Sequence, residues 1–136
     1  MKHDSKYCRS HCPINFALET FGDKWTLLVI RDLLFKGKRY YSDFLESGEG
    51  ISTNILADRL KALETSGLIQ KRVDPNKRSK MIYSLTEKGL GLLPVMLEIT
   101  AWSKQYDSLS NAPDEFMQAF KQDKDALAAQ ILAEYE

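Results

Sequence analysis

The run from Gly50 to Leu85, "GISTNILADRLKALETSGLIQKRVDPNKRSKMIYSL", constrains the fold more than any other part of the chain. Its first half is a helix with a readable start and stop. Ser52 is a good N-cap after a glycine-rich turn, Ile55, Leu56, Leu60 and Leu63 form one apolar stripe, and Gly67 closes the helix. Thr53, Asn54, Ala57, Asp58 and Lys61 lie largely off that stripe, so the first turn presents small polar side chains outward. Two short β-like runs follow, 68–73 (LIQKRV) and 81–85 (MIYSL), around the turn signal Asp74-Pro75-Asn76. This predicts a hairpin whose connecting loop holds Lys77, Arg78 and Lys80.

Upstream, the segment from Pro13 to about Lys36 is apolar at helical spacing, with Phe16, Ala17 and Phe21 and then Trp25, Leu28, Val29 and Leu33. Gly22 and Asp23 interrupt it, which predicts two helices with Asp23 capping the second. Gly37 ends that helix, and Ser42 can cap a short one carrying Phe44 and Leu45. Downstream, Thr86 can cap a long helix over roughly 86–109. Leu90, Leu93, Met96, Leu97, Thr100 and Trp102 supply its apolar face, and Gly89, Gly91 and Pro94 disturb its first turns. After residue 112, Pro113, Asp114 and Glu115 favour a further helix start. One amphipathic segment carries Phe116, Ala119 and Phe120, and a second carries Ala126, Leu127, Ile131, Leu132 and Tyr135.

At 136 residues the chain fits one domain with a sizeable core. With 43% hydrophobic and 28% charged residues it has the make-up of a soluble globular protein. No apolar run approaches a membrane span, and the start "MKHDSKYCRSHCP" has no signal-peptide core, so the expected location is the cytoplasm, without membrane contact. The net charge of zero is a sum of unlike parts. Residues 1–50 carry eight bases and seven acids, 51–93 carry eight and four, and 94–136 carry three and eight. A basic middle and an acidic tail allow local attraction of a polyanion, although charge alone fits a solvated basic face as well.

The element order is helix, short helix, polar-faced helix, basic hairpin and long helix. That is the order of a winged helix-turn-helix: a mainly α fold (α+β) with one small antiparallel β-hairpin. A single domain is expected over 1–136, with its core at about 13–105 and a C-terminal helical extension at about 106–136. A helix N-terminus with small polar side chains can enter a major groove while its apolar stripe holds it on the domain. A basic hairpin tip beside it can neutralise phosphates or enter the adjacent minor groove.

Three stretches carry a more specific resemblance. "CPINFALETFGDKWTLLVIRDLL" resembles the opening of the HxlR-type regulators, a bacterial group of MarR-like winged-helix transcription factors; "ISTNILADRLKALETSGLI" resembles their recognition helix, and "YSLTEKG" the exit from their wing. The similarity spans about residues 8–105. It implies a homodimeric regulator that binds operator DNA, built on N- and C-terminal dimerisation helices and needing no cofactor. Carried over by position, Ser52, Thr53 and Asn54 open the recognition helix (about 52–66), and Asp58, Arg59 and Lys61 follow on its next turns. Lys77, Arg78, Ser79 and Lys80 fall in the wing (about 74–80), and Ser42 opens the preceding helix near a phosphate. Arg59 is either a phosphate contact or a structural residue paired with an acid. Asp58 either accepts from a cytosine or orients Arg59 or Lys61, and Lys61 is either a contact or solvated.

His3, Cys8, His11 and Cys12 are all the histidines and cysteines of the chain. Four potential zinc ligands in one short segment are poorly spaced for a structural site, which usually pairs ligands across two loops, so no metal is expected. Cys12, just before Pro13, holds the position of the cysteine through which some members of the resembled family sense oxidants or electrophiles. A thiol near Arg9 and a helix N-terminus favours its thiolate; the alternative is a half-buried side chain at a dimer interface. Cys8 can resolve an oxidised Cys12 or cross-link to a partner subunit. Trp25, Trp102, Phe21 and Tyr106 either line an effector pocket or fill the core. Two other classes remain. One is a thiol or metal enzyme, for which no distant histidine, phosphate loop or acid pair speaks. The other is a winged-helix interaction module without DNA, against which the basic wing argues.

Overall fold

The computed structural model describes residues 9–135, so Cys8 and His3 lie outside the described residues. The chain forms two compact units, one extending to Gly89 and the other starting at Leu90. The first contains α1 (Pro13–Phe21), α2 (Thr26–Phe35), α3 (Tyr41–Leu45), α4 (Thr53–Thr65), β1 (Ile69–Val73) and β2 (Met81–Leu85). It also holds most of α5 (Glu87–Leu90), while α6 (Leu93–Tyr106) and α7 (Asp114–Glu134) belong to the second. This is the mainly helical, hairpin-bearing winged helix-turn-helix expected from the element order.

Asp23 separates α1 from α2 as anticipated. Its carboxylate accepts from the backbone N–H groups of Trp25 (2.8 Å) and Thr26 (2.9 Å), two donors that the start of α2 leaves without helical partners. The short helix α3 starts differently from expectation. Ser42 lies inside it, and Asp43 reaches back to accept from the N–H of Tyr40 at 3.2 Å, so the start is shifted to Tyr40. Ser52 caps α4 as predicted, accepting from Ile55 N–H at 3.3 Å, and Gly67 leaves the helix with φ +79°, a region closed to most side chains.

The core of the first unit is made by Val29, Ile30 and Leu33 of α2, Phe44 of α3, Leu56, Leu60 and Leu63 of α4, Leu68, and Ile69, Tyr83 and Leu85 of the hairpin. Each buried Leu, Ile or Phe contributes about 1.5–3 kcal/mol relative to exposure. The rings of Phe44 and Tyr83 meet edge to face at 6.0 Å. α4 packs on β1, α2 on β2 and α3 on α4. The two strands pair antiparallel from Ile69 opposite Leu85 to Val73 opposite Met81. Tyr83 N–H also donates to the Arg39 carbonyl at 2.8 Å, which ties the segment before α3 to the hairpin.

Five side chains assigned to apolar faces are exposed instead: Phe16, Ile55, Trp102, Ala126 and Leu132. In α1 the buried position is Asn15, which donates to the Ser10 carbonyl at 3.2 Å and accepts from Arg9. Asp32 is buried in α2 and paired with Arg31 at 2.9 Å. The single helix expected over 86–109 is two. Pro94 has no N–H to give to the Leu90 carbonyl, so the chain breaks at 91–92 and restarts as α6 with Pro94 in its first turn. In the second unit α6 and α7 pack together, and α7 is interrupted at Asp123 (φ −165°, ψ 92°). Asp123 accepts from Ala126 N–H at 3.0 Å and so caps the second part, which matches the two amphipathic segments expected there.

Candidate nucleic-acid interface

The candidate interface comprises the start of α3, the first turns of α4 and the hairpin tip. At the start of α4, Ser52, Thr53, Asn54, Asp58 and Lys61 are exposed, while Leu56, Leu60 and Leu63 hold the opposite face in the core. The N-terminal turn is thus seated on the core with Thr53 and Asn54 exposed, while Ser52 is engaged in the cap and Asp58 with Arg59. Ile55 joins them at the surface. The Tyr41 hydroxyl donates to the Thr53 carbonyl at 2.8 Å and joins the start of α3 to the start of α4. Ser42 is exposed beside it.

Lys77, Arg78, Ser79 and Lys80 are all exposed at the hairpin tip. The loop is closed by Asp74 N–H donating to the Lys80 carbonyl (2.9 Å) and Lys80 N–H donating to the Lys77 carbonyl (2.9 Å). Asp74 itself is only 3% exposed. Its carboxylate accepts from the Tyr40 hydroxyl at 2.6 Å and from Asn76 N–H at 2.9 Å. The Tyr40 hydrogen bond, then the Asn76 amide, hold the Asp74 carboxyl below its ordinary range, and the same bond raises the Tyr40 phenol. The Lys80 ammonium lies over the Tyr40 ring, 5.0 Å from its centre. A cleft of about 370 Å³ runs between these parts, lined by Tyr40, Tyr41, Ser42, Ser79, Lys80 and Tyr83 among others. It brings Ser42 together with the wing residues Ser79 and Lys80, more than 35 positions away in sequence.

Arg59 is placed apart from the exposed polar turn. Its guanidinium binds the carboxylate of Asp58 and lies 3.3 Å from Asp23, the residue that caps α2. The Asp58 hydrogen bond, together with the nearby Asp23 charge, raises its already high pKa. Burial alone would raise the Asp23 carboxyl; hydrogen bonds from Thr26 and from the amides of Trp25 and Thr26, with the Arg59 charge, outweigh burial and hold it low. A cavity of about 220 Å³ lies beside this pair, lined by Leu18, Thr20, Thr26 and Ser66 among others.

Cys12 is exposed and occupies the N-cap position of α1. The backbone N–H groups of Asn15 and then Ile14 lower its pKa, the expected effect of a helix start on a thiolate. Among the described residues, no group of three or more His, Cys, Asp and Glu is placed to hold a metal ion. The aromatic quartet divides between the units. Phe21 and Trp25 are half-buried in the first, with Lys24 over the Trp25 ring; Trp102 and Tyr106 are exposed in the second, their rings 5.5 Å apart. The Tyr40–Asp74 pair was not anticipated, because 34 positions separate its members and neither carries a local signal for the other.

Residues 20–111 match the model of the HxlR-like helix-turn-helix family. An uncharacterised HTH-type transcriptional regulator of Synechocystis, sll1512, is 40% identical over 86 residues, 63% of each chain. The HTH-type transcriptional regulator YodB of Bacillus subtilis is 36% identical over 96 residues, 70% of this chain and 85% of YodB. Among solved structures, PA1607, studied as a candidate transcription factor, superposes with a TM-score of 0.67 at 34% identity over 80% of this chain and 72% of its own. Reduced YodB superposes with a TM-score of 0.59 at 34% identity over 75% of this chain and all of its own, and structures of YodB treated with diamide and bound to quinone also match. Both sll1512 and YodB are HTH-type transcriptional regulators. With the family's model matched across both the helix-turn-helix and the hairpin, the chain belongs to the HxlR-like helix-turn-helix family of transcriptional regulators.

Proposed function

We propose that this regulator binds operator DNA as a homodimer in the cytoplasm, reading bases with the start of α4 and gripping the backbone with the wing. The observation that carries this reading is the exposed cation cluster Lys77, Arg78 and Lys80 on a closed hairpin tip, in the same unit as the seated polar turn of α4. Ser52, Thr53 and Asn54 lie first in the groove, with Asp58 and Lys61 behind them. Ser79 shares the wing's task, and Ser42 meets a phosphate at the edge of the cleft. Arg59, held by Asp58 and Asp23, braces α4 against the α1–α2 turn. Twofold symmetry then calls for a pseudo-palindromic operator with half-sites about one helical turn apart.

Replacing Lys77, Arg78 and Lys80 together by alanine is expected to weaken binding to a random-sequence duplex. The slope of log affinity against log salt should become shallower by about 0.9 for each phosphate that the wing no longer neutralises. Wild-type affinity and slope in the triple variant would show that the wing does not touch DNA. A duplex that fails to bind even the wild type at low salt would favour a protein-interaction module.

Cys12 supplies the candidate sensing group, with Cys8 as a second thiol, and the effector is an oxidant or electrophile. The exposed thiol at a helix start that lowers its pKa supports this, as do the diamide-treated and quinone-bound forms of the relative YodB. Diamide or a quinone should release wild-type protein from DNA and leave Cys12→Ser bound. Equal release of both would remove Cys12 from the mechanism.

A further inference from the structure

Asp74 is out of place in a phosphate-binding loop. It is the sole acid between residues 65 and 86, and a carboxylate at a wing tip should repel the DNA that the neighbouring cations attract. The structure turns it inward. It is buried, its two oxygens accept from the Tyr40 hydroxyl at 2.6 Å and from Asn76 N–H at 2.9 Å, and its backbone N–H closes the loop on the Lys80 carbonyl. Tyr40 stands at the start of α3, so this one bond joins the helical part of the unit to the tip of the hairpin. The Tyr40 ring also carries the Lys80 ammonium on its face. A two-stranded hairpin is marginal by itself, and its free tip would sample many orientations. A hydroxyl-to-carboxylate bond is short and charge-assisted, which suits it to fixing one of them.

We infer that Tyr40 and Asp74 form a latch that sets the position of the wing cations on DNA. They are positioning residues, acting through Lys77, Arg78 and Lys80 without touching DNA themselves. Loss of the latch leaves the same cations on a looser tip, so that ordering the tip must then be done at the expense of binding. The inference rests on the wing reading proposed above, and the variants below separate the two.

The decisive variant is Tyr40→Phe, which keeps the ring and its contact with Lys80 and removes only the hydroxyl. Affinity for a labelled random-sequence duplex would be measured across a salt series in the wild-type and Lys77/Arg78/Lys80 triple-alanine backgrounds. Thermal unfolding of each protein serves as a control. In the wild-type background Tyr40→Phe should weaken binding about 3- to 10-fold and make the salt slope shallower. In the triple-alanine background it should have no further effect. Amide exchange at Asn76 and Lys80 should accelerate in Tyr40→Phe while the β1–β2 ladder keeps its protection. Asp74→Leu, which removes the acceptor from the other side, should reproduce the binding and exchange changes. Unaltered affinity and slope in folded Tyr40→Phe would overturn the latch, as would an equal loss in both backgrounds, because the effect would then not pass through the wing. If the triple-alanine protein itself bound like wild type, the wing reading would fail first and the latch would have no cations to position.

Discussion

Arg59 shows how a single residue changes meaning once its neighbours are known. On the recognition helix of a DNA-binding chain, an arginine is a natural phosphate contact. Here its guanidinium is already shared between Asp58 on the same helix and Asp23 at the cap of α2. The pair is partly exposed, so its contribution to stability is modest, about 0.2–1 kcal/mol after solvent screening. Arg59→Gln is therefore expected to lower the unfolding free energy by that amount and to leave the salt slope of DNA binding unchanged. Urea denaturation measures the first and a salt titration of binding the second. A slope shallower by about 0.9 with unchanged stability would return Arg59 to the phosphate-binding set. Thr53 and Asn54 show the opposite case. Their exposure fits the readings made from the cap and the stripe, because a helix face not needed by the core is visible in the pattern alone.

At the scale of elements, the junction between hairpin and α5 depends on one close approach. Gly89 is buried, and a β-carbon placed there would lie 2.1 Å from the Leu68 carbonyl oxygen, a backbone atom that cannot step aside cheaply. Thr86 N–H donates to that same carbonyl at 3.0 Å, and the Lys88 ammonium donates to the Ser66 carbonyl at 2.6 Å, so α5 is drawn onto the end of α4. Gly89→Ala should destabilise the protein by about 1–3 kcal/mol through this overlap, more than the gain in helix propensity returns. A shift of the denaturation midpoint checks it; an unchanged midpoint would mean that α5 can move away from Leu68. Elements bounded by strong local chemistry were legible in advance: the caps at Asp23 and Ser52, the glycine stop at 67, the hairpin, and the interruption in the tail. The split of the 86–109 helix was less so, since Gly89, Gly91 and Pro94 announced a disturbance without saying whether the helix would bend or end.

At the scale of the whole molecule, apolar side chains are left at the surface of both units. Ile14, Phe16 and Leu18 are exposed on α1; on and after α6 the same is true of Ile99, Tyr106, Leu109 and Trp102, the last 67% exposed. α7 has no fully buried residue. Homodimerisation would cover such surfaces, as patches of this kind commonly mark association sites. The expected outcome in light scattering is twice the 15.6 kDa of the chain, falling toward the monomer in Trp102→Lys. A wild-type monomer at micromolar concentration would exclude a stable dimer. The charge asymmetry belongs to this scale too. The basic middle can attract a polyanion locally while the acidic tail holds the total at zero.

The sequence by itself determined the local elements, their order and the polarity of their faces. Caps, glycine stops, the Asp-Pro-Asn turn and apolar periodicity all act within a few residues, and the same short range makes them readable. It also marked the exposed cations of the wing and the thiol before Pro13. Only the tertiary structure decided which side chains meet across distance. It placed Asp74 against Tyr40, Arg59 against Asp23, and Ser42 in one cleft with Ser79 and Lys80. It also turned Phe16, Ile55 and Trp102 outward from faces that looked buried. Those outcomes depend on how helices and hairpin stack, and no residue carries a local preference for a partner 34 positions away.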